Sequence, residues 1–269
     1  MIKYHSKSEQ FSSYIKKLYN YRQLIFAFAR RDLKSKYAQT RLGLVWVFIK
    51  PILSVLLYVF FFEFVLNSNL SGVPYSIYVF SGLIAWNLFS QLIILSLNAI
   101  QESAQIIKKI YFPKSILALS KALVLLIDSF IVLILLFSLS IYLGILPSWN
   151  LLFLPFAILN VIFISLTFVF LLSAISIKHK DIFVGIPFIL QTLMWFSNVF
   201  IDVSSFPEFI QAYIANNPLS LMVSFMRWCL IGYGELNPSW VILFFSSLFT
   251  LYFSLRLYAK VEDTNVENI

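Results

Sequence analysis

The sequence predicts an all-α integral membrane protein with six membrane-spanning helices, and three observations carry that prediction. The chain is 60% hydrophobic and only 12% charged, about half the charged share of a soluble domain, and its mean hydropathy is +0.87. Apolar stretches of about 20 residues or more recur along it, each long enough to cross a bilayer core. Eighteen of its 20 Lys and Arg residues fall in the ends and alternate loops that this division places on one side of a membrane. By the positive-inside rule that side is the cytoplasm, and it holds both termini. The 269 residues leave no room for a separate soluble domain, so 1–269 reads as a single transmembrane domain. Cys229 is the only cysteine, and His5 and His179 are isolated, so neither a disulfide framework nor a metal site is expected. The net charge of +8 is read as a topology signal rather than as a nucleic-acid footprint.

Residues 1–20 are polar, carry Lys3, Lys7, Lys16 and Lys17, and read as a solvated or surface-lying arm without a cleavable signal peptide. Residues 21–37 predict an amphipathic interface helix. Phe26, Ala29, Leu33 and Tyr37 fall on one face, Arg30, Arg31 and Lys34 turn away, and Asp32 precedes Lys36 by four residues in the favourable order for a helical pair. The first span, 42–66, contains Lys50 beside Pro51. Its 18 Leu, Ile, Val and Phe residues contribute roughly −5 to −11 kcal/mol to insertion against about +3 for the lysine, so it inserts. The second span, 77–99, is interrupted in polarity only by Asn87, Gln91 and Asn98. A basic loop with Glu102, Lys108, Lys109 and Lys114 leads to the third span, 116–143, which has Lys121 near its start and Asp128 well inside.

The fourth span is 151–177 and the fifth 182–201, with Pro187 as a kink site. Residues 219–231 are apolar but number 13 and contain Arg227, too few to cross. Residues 206–231 therefore read as two short re-entrant helices on the outer side, hinged at Asn217-Pro218. The sixth span is 240–258, followed by a polar tail.

No P-loop, Gly-x-Ser-x-Gly elbow, His-Glu-x-x-His motif or clustered acid pair is present, so the chain is not expected to be an enzyme, and energy for transport must come from a partner or a gradient. Aromatics make up 18% of the residues. Most read as lipid-facing bulk and interfacial belts, but Tyr58, Phe61, Phe62, Phe188, Trp195 and Phe196 are candidates to line a conduit, where ring faces suit sugars. Asp128 is an acid inside a span and so either a functional group or a carboxyl that holds helices in register. Lys50 is a cation near a conduit mouth or one that snorkels to the basic side.

Four stretches together resemble the membrane subunits of ABC-2 type exporters for bacterial surface polysaccharides such as O-antigen, capsule and teichoic acid. They are Arg31-Asp32-Leu33-Lys34 with Tyr37, Thr40, Leu42-Gly43, Trp46 and Pro51; Pro74-Tyr75 with Gly82-Leu83, Trp86 and Phe89; Lys109-Ile110-Tyr111-Phe112-Pro113-Lys114 with Asp128; and Asn217-Pro218 with Arg227-Trp228 and Gly232. Lys36, Lys50 and Met226 depart from that pattern. The resemblance implies a homodimer around a channel for a lipid-linked polysaccharide in the bacterial inner membrane, with two copies of an ABC ATPase subunit that bind ATP and Mg. It implies that 21–37 and 101–113 receive the ATPase stroke, through Arg30, Arg31, Lys34, Lys108, Lys109, Tyr111, Phe112 and Pro113. It further implies that the outer pair, with Asn217, Pro218, Arg227 and Trp228, gates the exit. Two other readings stay open at this point: an ABC-2 exporter of teichoic acid or a small lipophilic molecule, and a membrane enzyme acting on polyprenyl-linked sugars at Asp181 or Glu102.

Overall fold

The computed structural model describes residues 11–38, 45–61, 73–102, 112–176 and 181–266. Within them the chain is helical throughout: α1 (Phe11–Asn20), α2 (Arg22–Ala38), α3 (Val45–Val59), α4 (Tyr75–Glu102), α5 (Ser115–Tyr142), α6 (Leu154–Ser176), α7 (Ile182–Trp195), α8 (Glu208–Asn216), α9 (Pro218–Ile231) and α10 (Ser239–Val266). Four of these helical stretches are long and apolar enough to cross a membrane: Tyr75–Glu102, Ser115–Tyr142, Trp149–Ser176 and Ser239–Glu262. The third includes a tight 3-10 turn at Trp149–Phe153 that leads into α6. They match the second, third, fourth and sixth expected spans to within a few residues, except that α10 continues well past residue 258. Residues 42–44 and 62–66 of the first expected span lie outside the described residues; between them α3 runs with Pro51 in its interior and ends in a widened turn at Phe60 and Phe61.

α4 is the hub. It packs against α3, α5, α6, α7 and α9, and 18 of its 28 residues are buried, so a helix of modest hydropathy is held by packing on nearly every side. The exceptions are informative. Before Gln101 its only exposed residues are Asn87, Gln91 and Asn98, which at 100° per residue fall within about 40° of one another. The apolar positions are inside and the amides outside, the reverse of a lipid-facing helix.

The fifth expected span is shorter than its sequence suggested: α7 stops at Trp195, and 196–202 turn instead of continuing to 201. Arg227 supplies the reason. It lies on α9, 2% exposed, and a buried guanidinium must find acceptors. Its Nη2 donates to the carbonyls of Asn198 (2.9 Å) and Val199 (3.2 Å), its Nε donates to the carbonyl of Tyr78 (3.3 Å), and its Cζ sits 3.6 Å from the Tyr78 ring centroid. The turn after α7 thus presents backbone oxygens that a continued helix would have consumed. Nearby, Asp202 accepts from Tyr233 Oη (2.8 Å) and from the Ser204 amide (2.9 Å) and hydroxyl (2.7 Å). Burial opposes its charge, but these hydrogen bonds, with the Arg227 charge, hold its carboxyl below the ordinary value.

Residues 206–231 do form two short helices, α8 and α9, joined at Asn217. The Asn217 side chain accepts from the Leu219 amide (3.0 Å) and Pro218 occupies the first turn, a standard helix start. Gly232 ends α9 in the left-handed region at φ +69°. Trp228 is buried against Trp149, Phe153 and Trp240.

Residues 11–20 are not a solvated arm. They form α1, with Tyr14 and Leu18 buried. These residues join Phe112, Ile116, Leu117 and Ala259 in a second, smaller apolar cluster at the end of the bundle that holds α1, the start of α5 and the late turns of α10.

The approach of α4 to α9 requires a glycine. A Cβ on Gly82 would stand 2.6 Å from Arg227 Nη2 and 3.1 Å from the Val199 carbonyl. Gly82→Ala is expected to lower the melting temperature of the detergent-solubilised protein by about 2–10 °C. Gly185→Ala, where a Cβ meets nothing within 4 Å, should leave it unchanged in the same fluorescence-detected thermal scan.

Candidate functional site

The amphipathic helix is built differently from its sequence pattern. α2 packs along α5, and the face it presents centres on Ile25, Phe28, Ala29 and Asp32, whereas Phe26 is 62% exposed. Asp32 does not pair with Lys36. Instead Lys121 Nζ on α5 donates to Asp32 at 2.7 Å, and Lys36 Nζ donates to Asp128, also on α5. The two pairs are crossed in sign: α2 offers an acid then a base four residues apart, and α5 a base then an acid seven residues apart. A register shift of one helical turn would bring like charges together. Asp128, seven residues beyond Lys121, is therefore neutralised by a side chain from outside its own span, and α2 reaches about 20 Å up α5 from Ser115 to meet it.

Arg31 reinforces the latch, donating through Nη2 to Asp32 at 2.8 Å while its Cζ lies 5.0 Å from the Phe28 ring centroid. Burial works against the charge on Asp32, but the hydrogen bonds from Lys121 and Arg31 outweigh it and hold the carboxyl below its ordinary value. Arg30 and Lys34 are exposed on the outer face of α2.

The loop expected to couple to a partner is described only at its end; Lys108, Lys109 and Tyr111 lie outside the described residues. Phe112 and Pro113 are buried, with the Phe112 ring 5.6 Å from that of Phe28. Immediately after them, Glu262 from α10 accepts from the Lys114 amide (2.6 Å) and from Tyr14 Oη (2.7 Å), and Tyr14 Oη lies 2.8 Å from Ser115 Oγ. Glu262 caps the start of α5 from a segment that the sequence presents as a polar tail. It is 4% exposed, and no local motif announces it.

Between α3, α4 and α5 lies a cavity of about 750 Å³, within the range of small-ligand sites. Its polar lining includes Lys36, Asp128, Lys50, Asn87 and Gln91, and Trp46 flanks it. The aromatic candidates fall elsewhere. Tyr58 and Trp195 stack around Phe200, at 4.3 and 5.1 Å between centroids. Phe61, Phe188 and Phe196 are exposed, and Phe62 lies outside the described residues. The intramembrane polar pair Lys50 and Asp128 is thus brought to one cavity, whereas the outer residues Asn217, Pro218, Arg227 and Trp228 belong to a separate buried cluster. The contribution of Asn87 and Gln91 was visible in the sequence only as two interruptions of polarity four residues apart.

A helical bundle with membrane-length helices, a polar cavity and a basic helix latched beneath it is the architecture of a membrane transport component. Residues 23–231 match the ABC-2 type transporter family, and the chain belongs to it. The chain is 29% identical over 168 residues to the O-antigen export system permease protein RfbA of Myxococcus xanthus, a match covering 62% of this chain and 64% of that relative, slightly under two thirds of its length. It is 24% identical over 248 residues to the protein of the same name from Klebsiella pneumoniae, covering 89% and 92%. To the polysialic acid transport protein KpsM of Escherichia coli it is 22% identical over 246 residues, covering 87% and 91%.

The latch should respond to acid with a defined sign. The Asp32 pKa is lowered by its partners, so its stabilisation of the docked α2 is complete above the unfolded value of about 3.9 and is lost only as pH falls through the lowered value. Asp32→Asn should speed amide exchange in α2 about fivefold at neutral pH, corresponding to about 1 kcal/mol, and remove its contribution to the acid dependence, measured by hydrogen–deuterium exchange.

Proposed function

We propose that this chain is the channel-forming membrane subunit of an ATP-driven exporter that moves a lipid-linked, O-antigen-like polysaccharide out across the bacterial cytoplasmic membrane. The observation that carries the reading is the amide stripe of α4. Asn87, Gln91 and Asn98 are exposed on an otherwise buried helix, and hydrocarbon is a poor environment for them. A hydrated conduit for a polymer of hydroxyl groups accepts them, and the names of the relatives agree with such a cargo. The cavity is one-sided, with Lys50, Asn87 and Gln91 exposed, so a second copy of the chain supplies the opposing wall in the proposed homodimer.

In this reading the chain has six spans, with α3 and α7 as the cores of the first and fifth, and both termini in the cytoplasm. α8 and α9 form the re-entrant outer pair, with Arg227 pinning it to α4 and to the turn after α7. Two ABC ATPase subunits bind ATP and Mg and dock beneath the bundle at Arg30, Arg31 and Lys34 and at the 101–113 loop. Their stroke passes through Phe112 and Pro113 into α5, and through the crossed ion pairs from α2 into the same helix.

The test is to express the chain with the ATPase encoded beside it, purify on a tag carried by this chain, and measure ATP hydrolysis and surface polysaccharide. A stable hydrolysing complex that restores surface polymer to a strain lacking this chain supports the reading; a chain that purifies alone and restores nothing overturns it. Asn87→Leu with Gln91→Leu should reduce surface polymer about tenfold without lowering the melting temperature. Phe112→Ala with Pro113→Ala should leave ATP hydrolysis measurable but disconnect it from export, scored as polymer exported per ATP hydrolysed.

A further inference from the structure

We infer that the cavity between α3, α4 and α5 is a binding site for a phosphate ester, in which Lys50 supplies the charge and the Asn87 and Gln91 amides supply neutral donors. Three ionisable side chains line the cavity. Lys36 and Asp128 neutralise each other. Lys50 has no ion-pair partner among the described residues, so the cavity carries one uncompensated positive charge. That charge sits inside an apolar helix, between Ile49 and Pro51, where a lysine is costly to insert. A bound anion would offset the cost.

The neutral groups point to the kind of anion. Neither Asn87 nor Gln91 makes a hydrogen bond among the described residues, and both are exposed to the cavity, leaving two amide donors beside the ammonium. A neutral sugar would leave the lysine charge unmatched. A phosphate ester offers both the charge and enough acceptor oxygens to engage all three donors. Trp46, one turn before Lys50, lines the same cavity and supplies an apolar face for the prenyl chain or sugar ring attached to the phosphate. The inference rests on the exporter reading only for where that phosphate comes from, a lipid carrier or the polymer itself.

The experiment uses the full chain purified in detergent, with binding read by tryptophan fluorescence and checked for loss of signal in Trp46→Phe. A polyprenyl monophosphate should bind about tenfold tighter than the matching polyprenol. Lys50→Gln should abolish that preference and Lys50→Arg keep it, both with unchanged melting temperature. Glucose 1-phosphate is then added as competitor: displacement assigns the phosphate to a sugar of the polymer, and no displacement assigns it to the lipid carrier, either result being compatible only with an anion site. Equal binding of phosphate and alcohol by the unmodified chain overturns the inference, as does a preference that survives Lys50→Gln. Failure of the ATPase to co-purify, with the phosphate preference intact, would remove the exporter reading and leave the site standing.

Discussion

Charge placed in an apolar bundle has to be matched, and the two crossed ion pairs between α2 and α5 are where that requirement shapes the molecule. Asp128 could stand inside its helix only with a cation beside it, and no residue of its own helix is in reach. The cation arrives on α2, which must therefore climb alongside α5 rather than lie flat beneath the bundle. The position of α2 in turn sets Phe28 against Phe112 and closes the smaller apolar cluster around Tyr14 and Leu18. An amphipathic pattern alone would leave such a helix free to rotate about its axis; two ion pairs of opposite polarity fix both its rotation and its register.

The same rule operates at the other end of the bundle with different chemistry. Arg227 has no carboxylate within ion-pair distance and is satisfied by three backbone carbonyls and the face of Tyr78. Paying in backbone acceptors ends α7 early and demands a glycine at position 82. A short helix, a turn and a small residue on a third element are consequences of one buried guanidinium.

The long helices were legible because their cores are 20 or more apolar residues with polar ends, a signal that needs no tertiary information. The outer pair was legible as well, since 13 apolar residues containing Arg227 cannot cross and Asn217-Pro218 marks a helix start. The face of α2 was misjudged because hydrophobic periodicity gave Phe26 a packing role, and periodicity has no way to weigh an acid at position 32 whose partner lies at 121. α1 was missed for a similar reason: Tyr14 and Leu18 are too few to announce a helix, and their value comes from Phe112 and Ala259, far along the chain. The amide stripe lay in view as three interruptions, but only burial of everything around it turned the interruptions into a wall. Aromatic content pointed to Tyr58 and Trp195 as conduit residues, whereas in the fold they stack on Phe200.

Glu262 ties the beginning, middle and end of the chain together. Its carboxylate holds the hydroxyl of Tyr14 and the first amide of α5, so α1, the loop that delivers Phe112, and the last turns of α10 share one fulcrum. Force applied to any of the three is transmitted to the other two before it reaches the spans. The cytoplasmic end is thereby a single stiff plate rather than three separate handles, and a load delivered off-centre tilts the whole plate instead of bending one helix.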